Sequence, residues 1–110
     1  MKLPNAENAY VPSAKLVEYL LSEIHPIGRA KALFLKNLGY DNTNAGTLER
    51  DLLAFAHDIS IGETIVSEWG IKYVITSALH TPSGESVYLR TVWIVDQGES
   101  RPRFVTAYPD

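Results

Sequence analysis

The sequence predicts an α+β domain in which three N-terminal helices pack on one face of a four-stranded antiparallel β-meander. Three observations carry this expectation. Apolar residues recur at three- and four-residue intervals between residues 13 and 60; four β-branched or aromatic runs follow Gly62; and the connections between those runs are short. Short connections between consecutive strands imply antiparallel neighbours, and helices that all precede a meander can cover only one of its faces.

Residues 1–11 contain Pro4 and two asparagines without helical periodicity, which predicts an extended arm lying against the domain. Ser13 suits the cap of a first helix over 13–22, in which Leu16, Val17, Leu20, Leu21 and Ile24 fall on one side. Pro26 pushes His25 out of the helical region and suits the first turn of a second helix over 26–38. The stripe of that helix is Ile27, Ala30, Phe34 and Leu38, and Gly39 ends it. After the loop from Tyr40 to Gly46, the spacing of Leu48, Leu52, Phe55, Ala56 and Ile59 predicts a third helix over 47–57.

The densest strand signal lies between Ser86 and Asp96, where nearly every residue is β-branched or aromatic, as a central strand requires. It turns through Asp96–Pro102 into a last strand, Arg103–Tyr108, stopped by Pro109. Strict alternation puts Phe104, Thr106 and Tyr108 on one face of that strand and Arg103, Val105 and Ala107 on the other. The two earlier strands are Glu63–Ser67 and Lys72–Leu79. The expected common core is Leu16, Leu20, Phe34, Leu38, Leu52, Phe55, Ile75, Val92, Ile94 and Val105.

With 110 residues, 45% hydrophobic and 21% charged, the chain reads as one folded domain over residues 1–110, without a linker or internal repeat. The absence of cysteine excludes disulfides, thiolate nucleophiles and iron–sulfur ligation. No apolar run approaches the length of a membrane span and no signal-peptide core is present, so a cytoplasmic protein without a membrane role is expected. A formal net charge of −3 argues against adhesion to nucleic acid through a generally basic surface, leaving only a local basic cleft. No His-Glu-x-x-His, glycine-rich phosphate loop or Gly-x-Ser-x-Gly elbow occurs, and no metal or other cofactor is expected.

Two polar groups stand out. His25, Arg29 and Lys31 fall within seven residues at a helix entrance, where backbone N–H groups already favour an anion. Lys31 lies inside the apolar stripe of its helix and must emerge at an edge of the core, either to meet a phosphate or to reach water along its aliphatic stem. Arg90, Arg103, Thr106 and Tyr108 are brought together by the last hairpin, as a polar site or as ordinary cross-strand packing. Tyr73, Tyr88 and Trp93 could stack on bases, but aromatics in strands are more often core or sheet-face packing.

The chain resembles a bacterial domain family of uncharacterised function met as small free-standing proteins and as the C-terminal tips of polymorphic toxins. The resemblance runs nearly end to end, through Lys2–Ala6, Tyr19–Ser22, His25–Ala32, Phe34–Gly39, Arg90–Ile94 and Pro102–Pro109. Helices followed by a meander with polar groups on its last strands are also similar to the barnase, EndoU, colicin and RelE group of ribonuclease toxins. That likeness implies metal-independent RNA cleavage by 2′-hydroxyl attack. His25 would then move protons, Lys31, Thr106 and Tyr108 would complete the catalytic group, and Arg29, Arg90 and Arg103 would bind substrate. RNA and a cognate immunity or antitoxin protein are the implied partners. The rival reading is a non-catalytic interaction domain of a toxin–antitoxin or phage-defence system, in which the same groups bind a partner.

Overall fold

Four strands in chain order build the sheet: β1 (Glu63–Ser67), β2 (Gly70–His80), β3 (Ser86–Asp96) and β4 (Arg103–Pro109). Each pairs antiparallel with the next, so the order across the sheet is β1-β2-β3-β4, the expected meander. The structure is a computed structural model and describes residues 1–16 and 29–109, the side chain of Arg29 excepted. Leu20 and His25 therefore lie outside the described residues, as does most of the first expected helix.

Its described part is one turn, α1 (Ser13–Lys15), preceded by Pro12 and without a side-chain cap; Ser13 is the first helical residue rather than the expected cap. The described part of the second helix is α2 (Arg29–Asn37). It ends at Gly39, whose φ of 98° permits the Gly39 N–H to reach Lys36 O and the Tyr40 N–H to reach Leu35 O. That is the left-handed closure for which glycine is suited. The third helix, α3 (Ala45–Asp58), starts two residues before its expected boundary. Asp41 and Asn44 cap a preceding helical turn reciprocally, so the loop is already wound when α3 begins.

Leu35 of α2, Leu38 just after it, and Leu48, Leu52, Phe55 and Ala56 of α3 share a core with Tyr73, Ile75, Leu79, Leu89, Trp93, Phe104 and Ala107 of the sheet. The sheet residues all belong to one face. Trp93 is fully buried and meets Phe104 edge to face at 5.3 Å, an arrangement that suits the ring quadrupoles. Its indole N–H donates to the Thr91 hydroxyl at 3.0 Å, which donates to Ile75 O at 2.9 Å, so both polar groups are satisfied inside the core.

Four core assignments change. Val92 and Ile94 are buried but face away from the helices, because cross-strand pairing aligns them with Thr106 and Arg103, opposite to Trp93. Phe34 and Val105 are half-buried rather than central. The reason at Val105 is a β-bulge: Val92 pairs with Thr106 but Trp93 pairs with Phe104, leaving Val105 as the extra residue. Phe104 thus joins Ala107 on the core face, instead of sharing a face with Thr106 and Tyr108.

The N-terminal arm, which includes a 3-10 turn over Ala6–Asn8, lies along β4. The Tyr10 N–H donates to Pro102 O and the Phe104 N–H donates to Tyr10 O, each at 3.0 Å, forming a parallel bridge. Leu3 and Val11 are buried in the core on either side of it.

Candidate functional site

Lys31 stands in the first described turn of α2, one residue before buried Ala32 and four before buried Leu35. Its stem follows that apolar side while its ammonium emerges at the outer edge of β4. There Nζ donates to Ala107 O at 3.1 Å and lies 5.3 Å from the centre of the Tyr108 ring. A cation this close to an aromatic ring is attracted by the ring's quadrupole. Lys31 does not simply run out to water along its stem: β4 fixes its ammonium.

Tyr108 faces away from the core because the bulge has shifted the alternation, and Arg90 stands directly opposite it on β3. Thr106, two residues back on the same face, stands opposite Val92, and Thr76 of β2 stands opposite Arg90. Directly opposed residues in an antiparallel pair have Cβ atoms about 4.5–5.5 Å apart. Tyr108, Arg90, Thr106 and Thr76 therefore share one sheet face as a polar cluster, and Lys31 joins its edge at the Tyr108 ring, where α2 meets the end of the last hairpin. Thr76 was not singled out from the sequence; its position opposite Arg90 depends on the β2–β3 register.

Arg103 is placed at the other end of β4, opposite Ile94. Its guanidinium makes two 3.0 Å hydrogen bonds to the Asp96 carboxylate, a forked geometry that holds Asp96 below its ordinary pKa and raises that of Arg103. His25 and the Arg29 side chain lie outside the described residues. Tyr73 and Trp93 are core residues, whereas Tyr88 is 64% exposed on the face that carries Arg90.

Beside the cluster, between α2 and the ends of β3 and β4, is a cavity of about 270 Å³ lined by Lys31 with Ala30, Phe34, Leu35, Leu89, Ala107 and Pro109. Apart from Lys31 its walls are apolar, so anion-binding chemistry belongs to the sheet side. Elsewhere, Tyr40 is buried and donates to Asp51 at 2.6 Å; burial first, then this bond, pushes its hydroxyl pKa up. His80 shares a 2.8 Å hydrogen bond with Ser86 at an exposed strand end. Among the described residues no group of three acidic, histidine or cysteine side chains is arranged to hold a metal ion, and no helix is long and apolar enough to cross a membrane.

The α+β fold with its antiparallel meander is shared with a solved structure. The chain is similar to one from the contact-dependent growth inhibition toxin–immunity protein complex of Klebsiella pneumoniae 342, with a TM-score of 0.74, 24% identity and 96% of each chain covered. At that identity the likeness establishes the fold. The chain itself belongs to the family described as "Domain of unknown function (DUF6883)", whose model matches residues 2–110. Comparison with curated proteins gives no match.

Proposed function

We propose that this chain is a toxin-related domain that cleaves RNA without a metal ion, at the cluster where α2 meets the last hairpin. The observation that carries the reading is the Lys31 ammonium held between Ala107 O and the Tyr108 ring, with Arg90 facing that tyrosine. An ammonium has three donors, so Lys31 can keep its anchor on β4 and still donate to a phosphate oxygen. The likeness to a chain of a toxin–immunity complex supports the toxin-related part of the reading and the expectation of a cognate immunity or antitoxin protein.

In this mechanism the RNA 2′-oxygen attacks the adjacent phosphorus as a base removes its proton. The O2′–P bond forms, the P–O5′ bond breaks, and the departing 5′-oxygen takes a proton. The products are a 2′,3′-cyclic phosphate and a 5′-hydroxyl. Lys31 and Arg90 stabilise the charge that builds on the phosphorane oxygens, and the Tyr108 hydroxyl orients the phosphate and shares proton transfer. Thr106 positions the phosphate from the same face. His25 is assigned to proton transfer and Arg29 to substrate binding on the resemblance alone; Arg103, committed to Asp96 at the far end of β4, would meet substrate beyond the reacting phosphate.

The test is to incubate purified protein with RNA in excess chelator and analyse the ends. Cleavage leaving cyclic phosphate, and inertness toward DNA, which has no 2′-hydroxyl, are expected. Cleavage that requires added metal, or wild-type protein as inert as Lys31→Ala, would reject the mechanism. A second reading, a non-catalytic interaction domain, is favoured by β1, whose residues are all exposed and which carries Ile65 and Val66 close to the exposed Trp69. It predicts a stable complex with a partner protein from an unchanged, inert domain.

A further inference from the structure

We propose that Tyr88 is the base-stacking platform of the same site, holding the nucleobase of an unpaired nucleotide beside the phosphate bound by Lys31, Arg90 and Tyr108. The substrate is then single-stranded or looped RNA rather than a duplex. This inference rests on the ribonuclease reading and adds the class of RNA and a residue that selects it.

Most described aromatic residues are already engaged. Tyr73, Trp93 and Phe104 fill the core, Tyr40 is bonded to Asp51, and Tyr10 is covered by the Arg101 guanidinium at 3.9 Å. Tyr88 differs: it projects from a central strand yet is 64% exposed. It shares a face with Arg90 two residues away, about 6.7 Å along the strand, the scale of one nucleotide. Its opposite residue on β2 is Ala78, whose methyl group leaves the ring uncovered on that side, whereas Arg90 is flanked by Thr76 and Tyr108.

Charge suits the same occupant. Lys72 and Arg90 stand on this face; of its carboxylates, Asp96 is held by Arg103 and Glu63 lies two strands away on β1, opposite Val74. A phosphate at Lys31 and Arg90 thus has cationic surroundings, and the base attached to the next sugar comes within reach of the Tyr88 ring. Base–aromatic stacking needs an unstacked base. In an A-form duplex both faces of each base are already covered, and the major groove is too narrow for side chains to read.

The experiment measures binding of a short single-stranded RNA with 2′-O-methyl groups throughout, which cannot be cleaved, to wild type, Tyr88→Ala, Tyr88→Phe and Lys31→Ala. Tyr88→Ala is expected to weaken binding roughly 5- to 150-fold. Tyr88→Phe should retain it, because the ring and not the hydroxyl stacks. The same sequence as a duplex should bind wild type no better than the Tyr88→Ala protein binds the single strand. A 2-aminopurine placed in the oligonucleotide should change fluorescence on binding wild type and not on binding Tyr88→Ala. Equal affinity of wild type and Tyr88→Ala, with Lys31→Ala weakened, overturns the stacking role and leaves the ribonuclease site standing. Absence of binding to wild type, together with absence of cleavage of unmodified RNA, overturns both.

Discussion

The two edge strands of the sheet are treated in opposite ways. β4 is covered on its outer side: the arm bridges it at Tyr10, and farther along Lys31 takes the Ala107 carbonyl. β1 is exposed at every residue and ends in a turn that presents Trp69 to solvent. An open strand edge ordinarily invites association, so the contrast separates a region built to hold side chains in register from one built to remain accessible. Chemistry that needs a lysine, a tyrosine and an arginine in fixed relation belongs at the first. A protein partner would find the second without obstructing the cluster.

The largest expected difference is in stability. Trp93→Ala should cost about 3–5 kcal/mol, since it empties the centre of the core and removes the indole N–H that donates to the Thr91 hydroxyl. Trp69→Ala, at 73% exposure on the β1–β2 turn, should change stability by no more than about 0.5 kcal/mol. Chemical denaturation compares them, and equal losses would mean that the β1 hairpin is packed against something in solution.

Next in size is the effect on activity. Lys31→Ala should lower RNA cleavage about 10²–10³-fold, as for loss of one preorganised donor to a transition-state oxyanion. Val66→Thr on the opposite edge should leave the rate unchanged. A comparable loss from Val66→Thr would move substrate to β1.

Smaller again is the arm's outer clasp. Arg101 covers the Tyr10 ring and donates to Asn8 O at 3.0 Å, from an exposed position. Arg101→Ala should cost about 0.5–1 kcal/mol and speed hydrogen exchange at Tyr10 and Phe104, whose amides form the bridge. Unchanged exchange there would show that Leu3 and Val11 alone hold the arm.

Sequence reasoning reached most of this frame because loop lengths and periodicity act locally. The four strands, their order and the Gly39 helix stop could all be read that way. The bulge could not: no glycine or other break between Arg103 and Tyr108 marks Val105 as supernumerary, and one extra residue exchanges the faces of Phe104 and the residues after it. Trp93 was legible in principle, since Leu89, Thr91 and Trp93 alternate with Arg90, Val92 and Ile94, but both faces are apolar near the centre and the pattern alone does not say which meets the helices. In the cluster, the pairing of Arg90 with Tyr108 depends on that same bulge, since unbroken alternation would put Arg90 opposite Ala107. The seat of Lys31 on Ala107 O required the docking of α2, which joins residues 76 positions apart and has no signature in sequence.

The smallest effect is that of pH. The Asp96–Arg103 pair is about one-third exposed at both side chains, so it is expected to contribute well under 1 kcal/mol. Because Arg103 lowers the Asp96 pKa in the folded protein, that contribution is present above the ordinary value of 3.8 and is lost as pH falls below it through the lowered folded value. Asp96→Asn should therefore be slightly less stable than wild type at pH 7, with the gap closing in acid. A gap that persists unchanged at pH 2 would assign it to packing.

The central claim is that Lys31 and Tyr108 act on one phosphate, and a double-mutant cycle on the RNA cleavage rate tests it most directly. Lys31→Ala, Tyr108→Phe and the double variant are compared with wild type under single-turnover conditions in chelator. The prediction is strong coupling: once either group is gone, removing the other costs much less than it does alone, because the ammonium and the phenol share one transition state. Losses that simply multiply, or a wild-type rate no different from the double variant, would contradict it.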